Sequence, residues 1–316
     1  MSRNLLFICL VTFIVSGIAC NQDKTTIKLA LDWYPNANHI GLYIAEEKGY
    51  FETEDLSVEI YTPSDPTTVL QTVASGADHF GMSYQPDVLI ARGEGVPVVS
   101  ILGMVQHPLN SMMTLKSTGI TSPKELKGKK VGYPGIPWNE HALASMLEAD
   151  GLSGLHEVEL VNVGWELGSS IISGRVDAIV GAYWTHESIL LANEGHPVNV
   201  IRMEQWGVPD YYELVMVTSD DYLRNNPDIV ERFTRAVRKG YIDAIADPQA
   251  GVDVLKKHAP EIDENIDRPG ASLLQELWQD TDGNFGGQKE DKWADFVGWM
   301  QQKGLLELDF DAREAF

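Results

Sequence analysis

Two hydrophobic rhythms alternate along the chain. Short apolar runs bounded by Gly, Pro, Asn or Asp read as strands, and longer segments with apolar residues every three or four positions read as helices. Lys28-Leu29-Ala30-Leu31 closes a buried strand, and Pro35, Asn36 and Asn38 break it. Ile40 to Lys48 has helical composition and stops at Gly49, a good residue just past a helix end. Leu56 to Tyr61 alternates as a strand, and Asp65 and Pro66 open a helix through Ala74 as cap and first residue. Val98 to Val105, Ser111 to Leu115, Lys130 to Tyr133 and Glu157 to Val163 are further strands, and Glu213 to Val217, within the return to the first lobe near Tyr211 to Thr218, is another. The turn Pro134 to Glu140 precedes a helix through Ala149. Asp228 to Asp247, Gln249 to His258, Ala271 to Gln279 and Asp291 to Lys303 are helical and are expected to pack on the outside.

Inside this succession a passage is written twice. Ser75-Gly76-Ala77-Asp78 leads into Phe80 to Tyr84, a helical run, and Glu94-Gly95-Val96-Pro97-Val98. Farther on, Ser173-Gly174-Arg175-Val176-Asp177 leads into Ala178 to Trp184, a helical run, and Glu194-Gly195-His196-Pro197-Val198. In each copy a helix ends at Ser-Gly, an Asp opens a short buried strand, and aromatic residues mark that strand's carboxyl end. Two lobes with a common plan follow, with Pro108-Leu109-Asn110 as the crossing between them.

Length and charge narrow the class. With 316 residues and 44% apolar content the chain can bury a core of about two lobes. The formal charge is −22, from 46 acidic and 24 basic residues, which excludes a nucleic-acid partner needing clustered cations. Arg3 and the apolar run Leu5 to Val15, then Ser16-Gly17-Ile18-Ala19, have the size and order of a secretory signal ending before Cys20. The only other cysteine is Cys9, within that run, so the exported chain has no disulfide. Small residues ahead of a lone Cys resemble a bacterial lipoprotein processing site. Cys20 would then be the lipid anchor, although Gly17 stands where such sites usually carry leucine.

No Gly-x-Ser-x-Gly elbow, no Gly-x-x-x-x-Gly-Lys loop and no His-Glu-x-x-His pair occurs, so the common hydrolase, phosphate-loop and zinc-protease signatures are missing. No metal ligands and no cofactor are assigned. The turn Asp32 to His39 instead concentrates two rings, an acid, amides and an imidazole at the carboxyl end of a strand, where α/β proteins bind ligands. Asn38 is equally a helix cap. If the two lobes face each other, strand-end groups meet across one cleft: Asp32, Trp33, Tyr34, Asn36, Asn38, His39, Tyr84, Gln85, Tyr183, Trp184, Glu187, Tyr212 and Glu213. That set holds no Lys or Arg, which disfavours an anion and suits an amino-substituted aromatic ring.

These motifs carry a resemblance. Asp32-Trp33-Tyr34-Pro35-Asn36-Ala37-Asn38-His39-Ile40-Gly41, Glu47-Lys48-Gly49-Tyr50-Phe51, Ser83-Tyr84-Gln85-Pro86-Asp87, Gly132-Tyr133-Pro134-Gly135, Gly181-Ala182-Tyr183-Trp184-Thr185-His186-Glu187 and Gly207-Val208-Pro209-Asp210-Tyr211-Tyr212-Glu213-Leu214 resemble the substrate-binding proteins of bacterial ABC transporters. Within that class the chain is similar to the group that binds thiamine pyrimidine precursors. The resemblance implies an α/β type II periplasmic-binding-protein fold, with two lobes joined by a two-strand hinge and the ligand between them. It divides the chain into a signal peptide (1–19), a lipid anchor and tether (20–27), the first part of lobe I (28–109), lobe II (110–217) and C-terminal helices that complete lobe I and brace both lobes (218–316). It implies a pyrimidine stacked on Trp or Tyr rings and hydrogen-bonded by Asn38, Glu187 and Glu213. The expected ligand-binding set is Trp33, Asn38, His39, Tyr84, Tyr183, Trp184, Glu187, Tyr212 and Glu213. The expected protein is a monomeric, non-catalytic lipoprotein outside the cytoplasm, held to the membrane through Cys20, that hands its aminopyrimidine to an ABC permease. A binding protein for another aromatic, amine or sulfonate nutrient is the alternative in the same fold. The fungal enzyme that builds this pyrimidine from its own histidine and pyridoxal phosphate also looks similar, with His39 in the shared Asn-His-x-Gly context, but its cysteine-rich iron motif is absent here.

Overall fold

Ten strands form two five-stranded sheets in the computed structural model, which describes residues 24–316. The expected signal segment and Cys20 lie outside the described residues. The strands are β1 (Thr25–Ala30), β2 (Leu56–Tyr61), β3 (Phe80–Ser83), β4 (Val98–Val105), β5 (Asn110–Leu115), β6 (Lys130–Tyr133), β7 (Glu159–Asn162), β8 (Ala178–Tyr183), β9 (Val198–Arg202) and β10 (Leu214–Ser219). Their orders are β2-β1-β3-β10-β4 and β7-β6-β8-β5-β9. In the first, β1 pairs in parallel with β2 and β3, and β10 runs antiparallel between β3 and β4. The second repeats this: β6 is parallel to β7 and β8, and β5 runs antiparallel between β8 and β9. Every residue of β3 and of β10 is buried, as expected of central strands covered on both faces.

The duplicated passage is duplicated in space. Gly95 and Gly195 both sit at φ 82°, in the left-handed region that glycine enters without a Cβ clash. The carbonyls of Pro97 and Pro197 that follow accept the N–H groups of Asp220 (3.0 Å) and Lys116 (2.8 Å), each just past the end of its sheet's antiparallel strand. That strand is the exchanged one: β5 follows β4 into the second sheet, and β10 follows β9 back into the first. The chain therefore crosses between the sheets twice, at 105–110 and at 202–214.

The C-terminal helices lie mainly against the first sheet's helices. Pro227–Ala246 meets Ile40–Glu47 so closely that a Cβ on Gly240 would fall 2.0 Å from the Gly41 carbonyl oxygen. Helix Glu264–Leu277 starts earlier than the sequence pattern suggests, because it continues through Pro269. Proline lacks the N–H that would bond the carbonyl four residues back. The freed Asn265 carbonyl takes a bond from the Asn193 side-chain amide instead (3.2 Å), so a neighbouring helix supplies what the proline cannot. A Cβ on Gly270 would lie 2.8 Å from the Thr185 carbonyl, and this close approach brings a C-terminal helix onto the second sheet's ligand-side turn.

Candidate functional site

The turn after β1 is fixed by its own polar groups. Asn36 accepts the Asn38 N–H with its side chain (2.9 Å), and its own backbone N–H donates to His39 Nδ1 (3.1 Å). That bond settles the imidazole's tautomer: Nδ1 accepts, so Nε2 carries the proton and donates it to Asp32 Oδ1 at 3.0 Å. The second Asp32 oxygen accepts the Tyr84 hydroxyl at 3.2 Å, which ties the end of β3 to the same carboxylate. Tyr241 donates to the Asn38 carbonyl (2.5 Å), and Asp267 accepts the Ala37 N–H (2.7 Å), so two C-terminal helices brace the turn from behind. Trp33 is left facing the space between the sheets.

On the other side, Glu187 folds back over the end of β8. One carboxylate oxygen accepts the Tyr183 backbone N–H (2.7 Å), and the other meets His186 Nδ1 (2.9 Å). Burial alone would push the His186 imidazole down, but Glu187 beside it and Asp267 beyond carry it above its ordinary value. Asp267 is itself raised by burial, against the pull of His186 and the Ala37 N–H. This carboxylate therefore faces the first-sheet turn and the second-sheet turn together.

Between these walls lies a cleft with about 500 Å³ of space between protein atoms, part of it open to solvent. The first-sheet side supplies Asp32, Trp33, Asn36 and Tyr84. The other supplies Asn110, Pro134, Ile136, Trp138, Asn139, Leu167, Gly181, Tyr183, His186 and Glu187. Among the described residues, no lysine or arginine lines it. Gly181 has φ 93°, and a Cβ there would fall 2.7 Å from Pro134 and 3.0 Å from Asn139, so only glycine leaves this wall open. The mouth is covered by aromatic contact across the gap. Trp165, in the turn after β7, has its ring centroid 4.1 Å from that of Trp33 and 4.3 Å from that of Tyr34.

Of the nine expected ligand-binding residues, Trp33, Tyr84, Tyr183 and Glu187 line the cavity together, whereas Asn38, His39, Trp184, Tyr212 and Glu213 stand behind its walls. Asn38 donates its side-chain amide to Asn36 Oδ1 (2.9 Å) and keeps its own Oδ1 buried without a partner, while His39 is held between Asn36 and Asp32. Trp184 donates to the Pro108 carbonyl (3.1 Å) under the Arg202 guanidinium, 4.4 Å from its ring. Tyr212 bonds the Lys289 N–H (2.8 Å) through its hydroxyl. Glu213 is fully buried at the inter-sheet crossings, where one oxygen accepts the Leu109 N–H (2.7 Å), the Asn110 N–H (2.8 Å) and the Tyr211 hydroxyl (3.0 Å). Burial lifts its pKa to about 7 despite those donors.

The sequence matches the family described as NMT1/THI5 like over residues 36–251, more than half of the chain. The chain belongs to the NMT1/THI5-like family. It is 41% identical over 300 residues to the formylaminopyrimidine-binding protein of Halalkalibacterium halodurans, covering 94% of this chain and 91% of that one. It is 29% identical over 238 residues to the 4-amino-5-hydroxymethyl-2-methylpyrimidine phosphate synthase THI13 of Saccharomyces cerevisiae, covering 72% of this chain and 69% of that one. The alkanesulfonate-binding protein SsuA of Xanthomonas axonopodis pv. citri superposes with a TM-score of 0.71 at 12% identity, covering 93% and 99% of the two chains. This NMT1/THI5-like chain thus has the type II periplasmic-binding-protein fold.

Among the site residues not anticipated from sequence are Asn110, Asn139 and Trp165. Asn110 was legible only as part of a crossing and Asn139 as part of a turn, and Trp165 sits in a segment with no other signal. Among the described residues, no group of three or more His, Cys, Asp and Glu side chains could hold a metal ion, and no helix is long and apolar enough to cross a membrane.

Proposed function

We infer that this protein is an extracytoplasmic solute-binding protein whose cleft captures an aminopyrimidine precursor of thiamine, without catalysing its conversion, and delivers it to an ABC permease. Lipidation of Cys20 would hold it at the membrane, as a monomer. The observation that carries the reading is the cavity's composition: rings, amides and carboxylates from both sheets with no lysine or arginine of the described residues among them. A flat ring with an exocyclic amino group can stack on Trp33 and Tyr84 and donate to oxygen acceptors, whereas a sulfonate would find no guanidinium or ammonium partner. The likeness to a formylaminopyrimidine-binding protein supports the same ligand class. Contacts from both lobes are also what closure requires, since a ligand stabilises the closed form only through interactions the open form lacks. The synthase alternative gains nothing from the geometry: His39 is fully buried against Asp32 and Asn36, and no lysine lines the cavity.

The test is the identity of the natural ligand. Protein purified without added ligand is denatured, and the released small molecules are weighed by mass spectrometry. An aminopyrimidine is expected; an aliphatic sulfonate in its place overturns the assignment. Titration of the emptied protein with a formylaminopyrimidine then measures the affinity directly.

A further inference from the structure

Most polar side chains in the cavity wall are already spoken for. Asp32 accepts from His39 and Tyr84, Glu187 accepts from His186 and the Tyr183 N–H, and the Asn36 side chain holds the turn at 2.9 Å contacts on both its ends. Three wall groups are different. Asn110 Oδ1, Asn139 Oδ1 and the Tyr183 hydroxyl are buried and make no well-formed hydrogen bond, although the hydroxyl lies near enough to Glu213 to help hold that carboxyl down. Asn110 is only 4% exposed and Asn139 only 1%, so water does not stand in freely for the missing partners. Proteins rarely leave buried amides unpaired, and several opening onto one cavity mark groups kept for something that enters it.

All three belong to the second sheet's side: Asn110 begins β5, Asn139 lies in the first turn of helix Pro137–Ala149, and Tyr183 ends β8. The first-sheet wall is a finished surface of ring faces and mutually bonded groups. Resting on the functional reading above, we propose that Asn110 and Asn139, with the Tyr183 hydroxyl, are the residues that read the ligand's polar edge, and that the class they select is an uncharged heteroaromatic ring with a ring nitrogen next to an exocyclic amino group. A side-chain amide presents an acceptor and a donor side by side, which matches that edge bidentately in the way asparagine matches the amino edge of adenine. The engaged carboxylates of Asp32 and Glu187 set orientation and field; the open amides choose the ligand.

The experiment compares two probes on the full chain emptied of ligand: a 2-methyl-4-aminopyrimidine and its 2,4-dimethyl counterpart, which keeps the ring and loses the amino group. Calorimetric titration is run on the wild type and on Asn110→Ala, Asn139→Ala and Tyr183→Phe. The wild type is expected to prefer the amino ring by about 5- to 150-fold, the span of one good bidentate pair. Each Asn→Ala change is expected to shrink that ratio toward one while leaving binding of the dimethyl ring nearly unchanged. Because neither amide oxygen is hydrogen-bonded within the protein, the melting temperatures of the Ala variants should equal or exceed that of the wild type. A ratio that survives both Asn substitutions, or equal losses for both probes, overturns the assignment of the reading residues while leaving the functional reading intact. Failure of the wild type to bind either ring overturns that reading and this inference with it. For an Asn variant that does not fold, Asn→Ser keeps a small polar group and gives the same comparison.

Discussion

Substituting Glu213 by Gln tests the hinge, because this carboxylate joins the two inter-sheet crossings from behind the cavity wall. One oxygen takes three donors from residues 109, 110 and 211, and the other, Oε1, has no partner. Burial lifts the carboxyl from its usual value of 4.5 to about 7. A raised acid keeps its proton in the folded chain while the unfolded chain has already released it. Its contribution to stability is therefore fully present below pH 4.5 and is lost as pH rises through about 7. At about 1.4 kcal/mol per unit, the ionised group costs the fold about 3 kcal/mol at pH 8 relative to pH 4. Glu213→Gln keeps the shape and an acceptor oxygen for the three donors, and its amide N–H₂ occupies the place of the unpartnered oxygen, but it never ionises. Urea unfolding followed by tryptophan fluorescence should find variant and wild type within about 1 kcal/mol at pH 5. At pH 8 the variant should be the more stable by about 3 kcal/mol. Nearby Asp87, also raised to about 7 by burial and by the Glu213 charge, titrates in the same window, so the comparison is made as a difference between the two proteins. A stability difference that stays flat from pH 5 to pH 8 refutes the buried titration.

Trp33→Ala should weaken binding of an aminopyrimidine by about 1–3 kcal/mol through loss of ring stacking, with unchanged circular dichroism; unchanged affinity in calorimetry removes Trp33 from the site. Glu187→Gln should cost about 1.5–3 kcal/mol of affinity, since it loosens the hydrogen bond that fixes the end of β8, and the same titration decides it. Trp165→Ala removes the ring stacked on Trp33 and Tyr34 across the mouth, so ligand release in stopped-flow should quicken roughly tenfold, at about 0.5–1.5 kcal/mol per aromatic pair; an unaltered rate means that the mouth contact does not hold the closed form. Gly181→Ala sets a Cβ 2.7 Å from Pro134 at φ 93°, so binding should be lost before folding is, as read by comparing titration with thermal melting.

The strands and the doubled plan were legible because their signals are local. A period of two, a Ser-Gly helix end and a Glu-Gly-x-Pro turn are each decided by a few neighbouring residues, and Gly95 and Gly195 take the same backbone angle for the same reason. The start of helix Glu264–Leu277 was not legible, since the partner that makes Pro269 tolerable is Asn193, far away in sequence. The site divides along the same line. The crowded turn Asp32 to His39 announced polar chemistry, but which of its groups face a ligand and which face one another depends on Tyr84, Tyr241 and Asp267, brought in by other elements. Glu213 reads from sequence as a ligand acid at a strand start; in the fold it accepts two backbone N–H groups of the other crossing and the Tyr211 hydroxyl. Asn110 and Asn139 gave no warning, because an amide in a turn is indistinguishable by sequence from a cap.

The two copies of the plan have not kept the same task at their strand ends. Tyr84, at the end of β3, donates to Asp32 and so joins a closed circuit with His39 and Asn36. Tyr183, at the equivalent end of β8, lends its backbone N–H to Glu187 and leaves its hydroxyl without a well-formed hydrogen bond. A closed circuit is rigid and costs nothing to leave empty, whereas an open valence is costly until a ligand fills it. One lobe can therefore hold its shape whether or not ligand is present, and the other gains most when the cleft shuts on something that donates and accepts. On the proposed function, that asymmetry would give closure a direction: binding energy would be drawn chiefly from the second lobe's contacts, so substitutions at Asn110 or Asn139 should alter selectivity, and substitutions in the Asp32 circuit should alter stability first.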